Sequence, residues 1–84
     1  MEILGRVTDS AGEPVRDAVV MIVAATASHP DMAALTDDRG EYHLSGLAPG
    51  MYRVGVNAEG RAPASLEVHL NSEEGAQLDF RLSQ

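Results

Sequence analysis

The sequence predicts an all-β domain, a seven-stranded antiparallel Greek-key β-sandwich, and three observations carry that prediction. Turn-forming clusters recur at short, regular intervals: Asp9-Ser10-Ala11-Gly12, Ser28-His29-Pro30-Asp31, Asp37-Asp38-Arg39-Gly40, Ala48-Pro49-Gly50, Glu59-Gly60 and Asn71-Ser72-Glu73-Glu74-Gly75. Between them apolar and polar residues alternate with period two, the pattern of a strand with one face buried. No segment shows the 3.6-residue apolar period of a helix longer than a turn.

Each element follows from that alternation. Residues 2–9 place Ile3, Gly5 and Val7 on one face, with Arg6 and Thr8 on the other. Residues 17–25 direct Ala18, Val20, Ile22 and Ala24 inward. A short strand over 32–37 follows, and residues 41–45 bury Tyr42 and Leu44 around His43. Residues 51–59 turn Tyr52, Val54, Val56 and Ala58 inward, 64–70 turn Leu66, Val68 and Leu70, and 76–82 turn Leu78, Phe80 and Leu82. Strands without helices must bury their apolar faces against one another, which two packed sheets achieve; an SH3-like or OB barrel is the alternative closure.

Eighty-four residues hold one domain, spanning 1–84, with one small core. With no cysteine, neither disulfides nor thiolate metal sites staple it, so packing carries its stability. The net charge is −7 and the six basic residues are all arginine, scattered singly; nucleic acid, whose phosphates call for a clustered basic surface, is excluded as a partner. The longest apolar run, Ala18 to Ala25, is far short of the roughly 20 residues that span a bilayer, so no membrane insertion is expected. Met1-Glu2-Ile3 leads straight into a strand pattern without the basic start and apolar stretch of a signal peptide.

Two stretches carry more than periodicity. One runs Gly5-Arg6-Val7-Thr8-Asp9-Ser10-Ala11-Gly12-Glu13-Pro14-Val15-Arg16-Asp17-Ala18; the other runs Thr36-Asp37-Asp38-Arg39-Gly40-Glu41-Tyr42-His43-Leu44 and on through Leu47-Ala48-Pro49-Gly50-Met51-Tyr52. Together they resemble the carboxypeptidase regulatory-like domain, a transthyretin-like sandwich. Their residues have physical reasons: Gly12 and Gly40 permit positive φ, Asp9 and Asp37 can cap the turns, and the Tyr52 hydroxyl needs a backbone partner once buried.

The resemblance implies a non-catalytic accessory module that mediates protein contact, spacing or folding. Such domains stand beside metallocarboxypeptidase catalytic domains, at the amino end of outer-membrane receptors and in secreted or surface proteins of bacteria. An extracytoplasmic setting and a protein partner or parent-chain domain are therefore expected, with self-association as a further form. Surface-adhesin sandwiches that form internal isopeptide bonds need a lysine, and this chain has none. Transthyretin-like hydrolases of the urate pathway use a first-strand His and a terminal Tyr-Arg-Gly-Ser, whereas here the first strand has no His and the chain ends Phe80-Arg81-Leu82-Ser83-Gln84.

Little else in the sequence suggests chemistry. Ser28 and His29 are adjacent, but adjacency is not a triad, and neither a Gly-x-Ser-x-Gly elbow nor a phosphate loop is present. His43 and His69, with Glu41 or Glu67, would form a metal site only if their strands paired. Asp37, Asp38 and Glu41 around one turn offer oxygen ligands for Ca²⁺ without EF-hand spacing, which keeps open an alternative, a carbohydrate- or Ca-binding module acting through end loops. Against a sugar platform stands an aromatic content of 4% with no tryptophan. No catalytic residue, metal ligand or cofactor is assigned, and the expectation is that the chain is no enzyme.

The candidate interaction face lies on the second and third strands. With Ala18, Val20, Ile22 and Ala24 inward, Val19, Met21 and Val23 point outward, where Ser or Thr is expected, and Ala33 and Leu35 extend the patch. A contiguous apolar patch on a small domain marks a docking surface unless a loop such as 26–31 covers it or the strand slips by one residue. Met21 and Met32 would make such a surface adaptable.

Overall fold

The computed structural model describes residues 1–26, 33–71 and 75–83. The Ser28-His29 pair, Met32 and most of the loop expected to cover the apolar patch lie outside the described residues. Among the described residues eight strands are present: β1 Ile3–Asp9, β2 Val19–Ala25, β3 Ala33–Leu35, β4 Glu41–Leu44, β5 Gly50–Asn57, β6 Ala64–Leu70, β7 Ala76–Gln77 and β8 Phe80–Leu82. They form two sheets, one ordered β4-β1-β7 with β8 continuing along β1, the other ordered β3-β2-β5-β6. Among the described residues no helix is long and apolar enough to cross a membrane.

Most of the expected inward residues meet between the sheets, whereas Leu66 remains 41% exposed. Ile3, Val7, Val20, Tyr42, Leu44, Tyr52, Val54, Val56, Leu70, Phe80 and Leu82 are buried, and Val15, Ala18 and Leu47 close the core from the connections. Tyr42 and Phe80 rings pack at 6.2 Å and 52°. Both tyrosines carry a hydroxyl into this region and both satisfy it on backbone. The Tyr52 hydroxyl donates to the Ala48 carbonyl at 2.6 Å, tying the strand to the Pro49 turn just before it, and the Tyr42 hydroxyl donates to the Leu78 carbonyl. Burial, with the Asp79 charge adding to it, pushes the Tyr42 phenol above its ordinary range.

Three expectations need correction. The strand expected over 76–82 is two, because at Leu78–Asp79 the ladder is interrupted. There the Leu78 carbonyl lies where a Cβ on Gly5 would stand, 1.9 Å from that position, and Asp79 Oδ1 takes the Arg6 N–H at 3.0 Å in place of a backbone acceptor. β7 and β8 keep one register along β1, Ile3 opposite Ala76 and Val7 opposite Phe80.

Those pairings are parallel, so the sandwich is not purely antiparallel. Only strands joined by a hairpin must run opposite ways; β7 enters from the other sheet and is free of that constraint. The third correction concerns Ala24. A bulge between Ile22 and Ala24 adds Val23 to β2, so Ala24 stands opposite Arg53 on the outer face and Ala25, opposite Tyr52, turns to the core instead.

Two turns at one end are built alike. Asp9 Oδ1 accepts the N–H groups of Ala11 and Glu13 at 2.9 Å, and Asp37 Oδ1 accepts those of Arg39 and Glu41 at the same distance. In each turn the glycine N–H closes onto the Asp carbonyl, Gly12 at 3.0 Å and Gly40 at 2.9 Å. The turns differ in what surrounds them. Gly40 is buried against Val7, Pro14 and Val15, whereas Gly12 has open space around it.

Candidate interaction face

The outer face of the β3-β2-β5-β6 sheet divides into two halves. Cross-strand register sets Leu35 beside Val19 and Asn57, and Ala33 beside Met21, Gly55 and Ser65. Farther along, Ala24, Arg53 and Glu67 form a row, then Met51 and His69. The half over β3 and β2 is therefore apolar, and the half over β5 and β6 is polar. All five residues singled out in the sequence, Val19, Met21, Val23, Ala33 and Leu35, fall together on the apolar half, with Val23 52% and Leu35 64% exposed.

Gly55 shapes this face in a way the sequence did not indicate. Having no side chain, it leaves an open depression of about 330 Å³, with Met21 and Val23 on one side and Pro63, Ala64 and Ser65 on the other. The bulge at Val23 drops that side chain over Gly55, so an ideal Cβ on the glycine would stand 3.0 Å from Val23 Cγ1. Flanking the depression, Arg53 donates to Ser65 Oγ at 3.1 Å and pairs with Glu67.

The histidines and carboxylates considered for metal are dispersed. His43 lies on β4 and contacts Glu2 at 2.6 Å, whereas His69 lies on β6 of the other sheet. Their strands do not pair, so the condition for a shared site fails. At the acidic turn, Asp37 is engaged by backbone N–H groups, Asp38 faces Arg16 at 3.6 Å and Glu41 faces Arg6 at 3.5 Å. Among the described residues no three His, Asp or Glu side chains converge on a metal-sized site.

The chain matches the carboxypeptidase regulatory-like domain over residues 2–83. It belongs to that family. Carboxypeptidase D of Drosophila melanogaster is 37% identical over 84 residues, a match that takes in 96% of this chain and 6% of that protein. This regulatory-like domain thus spans a small fraction of that relative's length.

Among solved structures, a chain of a type II cohesin–X-dockerin complex from Acetivibrio cellulolyticus superposes with TM-score 0.77 at 16% identity, covering 98% of this chain and 56% of that one. Chlorocatechol 1,2-dioxygenase from Pseudomonas putida superposes with TM-score 0.70 at 14% identity, covering 99% and 59%. At these identities the likeness is one of fold, a β-sandwich, and function must be argued from the site.

Proposed function

We propose that this regulatory-like domain is a non-catalytic accessory module of a longer polypeptide, docking against an adjacent folded domain through the apolar half of its β3-β2-β5-β6 sheet. The observation that carries this reading is the cluster of Val19, Met21, Val23, Ala33 and Leu35 beside the Gly55 depression, on a face whose other half is polar. Interfaces of this kind put an apolar centre beside a polar rim, and a depression at the centre receives an anchoring side chain. An adjacent domain as occupant is supported by Carboxypeptidase D, in which the matching region is 6% of the protein. A non-catalytic role is supported by the engagement of Asp37, Asp38, Glu41, His43 and Glu67 in turns and ion pairs rather than in a shared cleft.

The chain has no cysteine, so Val23→Cys and Leu35→Cys each introduce a single thiol on the face, and Ser45→Cys an exposed one elsewhere. Maleimide labelling, read peptide by peptide, is compared between the isolated domain and the longer polypeptide. Both face positions are expected to label at least several-fold more slowly in the longer polypeptide, with the Ser45→Cys rate unchanged. Equal rates at all three positions would sink the reading.

A further inference from the structure

We propose that two copies of this domain associate edge to edge through β6, in an antiparallel register centred on Val68. The sandwich has several strand edges, and they are not equally open. β3 has three residues, β4 four, β7 two and β8 three, too short to template a partner strand. β6 runs seven residues, Ala64–Leu70, with no proline, lysine or bulge, and pairs with β5 in unbroken register from Ala64 to Leu70. Among the described residues no backbone hydrogen bond joins its outward side to another segment. Among the described residues its one edge-blunting feature is the charge of Glu67.

The side chains select the partner and the register. Ser65, Glu67 and His69 face outward and Leu66, Val68 and Leu70 inward, so a second β6 must pair odd-numbered residues with odd to keep each face continuous. Centring on Glu67 would set two carboxylates directly opposite each other, which is repulsive. Centring on Leu66 would bring Pro63 into the ladder, where it has no N–H to give. Centring on His69 would oppose the two imidazoles and leave each Glu67 facing Asn71.

Centring on Val68 sets Glu67 opposite the partner's His69 and His69 opposite the partner's Glu67. It also brings the partner's strand at Leu70, a side chain already fully buried within its own copy, alongside Leu66. Leu66 points inward yet remains 41% exposed because nothing flanks it at the edge. A second copy supplies the missing flank. The two four-stranded sheets join into one of eight strands, and β2 and β3, which carry the proposed docking residues, lie away from the seam.

Molar mass by light scattering, from micromolar to millimolar protein, tests the proposal on wild type, Glu67→Lys, His69→Glu and the Glu67→Lys/His69→Glu double variant. The three variants substitute exposed positions, and circular dichroism checks the fold. A wild-type dimer is expected; His69→Glu sets two carboxylates opposite each other at two places and raises the dissociation constant on the order of tenfold or more, whereas Glu67→Lys sets an ammonium opposite an imidazole and weakens the dimer less. The double variant sets opposite charges at both places and recovers the dimer. A monomer at millimolar concentration overturns the proposal. So does a dimer indifferent to these charges, or one dissolved by Val23→Glu and untouched by His69→Glu, which would place the contact on the sheet face.

Discussion

Val23 lies across Gly55, and an ideal Cβ on that glycine would stand 3.0 Å from Val23 Cγ1. The obstacle is the tip of a half-exposed side chain, not backbone, and it can rotate toward solvent. Gly55 sits in extended backbone within β5, so alanine there removes unfolded-chain entropy without backbone strain. Gly55→Ala is expected to raise stability by about 0.5 kcal/mol, a shift in Tm of roughly 3 °C. The same methyl group narrows the depression, so labelling of the apolar face in the longer polypeptide should become faster. Scanning calorimetry beside the labelling series checks both.

Thr36 is the one buried polar side chain among the described residues, and it is fully used: its hydroxyl donates to the Val15 carbonyl at 2.6 Å and accepts the Ala18 N–H at 2.9 Å. It thereby fixes the segment before β2, in which Asp17 adopts a left-handed φ of 59°. Thr36→Val keeps the shape and strands two backbone groups, an expected loss of about 2 kcal/mol and roughly 10 °C in Tm. Thr36→Ser keeps both bonds and should lose clearly less. Equal losses from the two would mean that the methyl group, not the hydroxyl, holds the segment.

How much of this was legible in the sequence depends on whether backbone or side chain decides. The core face of β1, β4 and β5 follows from alternation because each runs without a bulge, and the Tyr52 hydroxyl finds the backbone partner its burial requires. The placement of Val19 and Met21 on the outer face was legible too, since both lie before the phase of β2 changes; Val23 is the bulged residue itself and lies over Gly55. Ala24 was not, because a bulge is a matter of pairing, and Val-Ala-Ala has no glycine or proline to announce one. Nor was the break at Asp79, where a side chain replaces a backbone acceptor for a residue 73 positions away in the chain. The depression escaped for a related reason: Gly55 reads as a weak strand position until Val23 is known to overhang it.

Acid should weaken the fold through its two aspartate-capped turns. The Asp9 carboxyl is held below its ordinary value chiefly by the Glu13 N–H, and the Asp37 carboxyl by the N–H groups of Glu41 and Arg39. A carboxyl whose folded pKa is depressed contributes stability that is present above its unfolded pKa and lost as pH falls through the folded value. Stability should therefore decline below about pH 4. Urea titrations from pH 7 to pH 2 are expected to show a shallower acid limb for Asp9→Asn and Asp37→Asn than for wild type. An unchanged limb in both would assign the acid sensitivity to other carboxylates.

The two capped turns share their hydrogen bonds but not their surroundings, which gives a paired prediction. Gly12 has φ +84° and Gly40 φ +74°, so alanine at either position pays the left-handed penalty of about 1–2 kcal/mol. At Gly12 a Cβ meets nothing within 4 Å, and that penalty is the whole cost. At Gly40 it would stand 2.4 Å from the Val7 carbonyl oxygen, which accepts the Val15 N–H at 2.9 Å, while the Gly40 carbonyl accepts the Val7 N–H at 2.7 Å. The obstacle is backbone in the middle of β1 and cannot swing aside, so the turn must pull away and both bonds lengthen. Gly40→Ala is expected to lose about 2 kcal/mol more than Gly12→Ala. Equal losses, measured by urea unfolding of the two variants side by side, would mean that the turn at Gly40 can shift as a unit without disturbing β1.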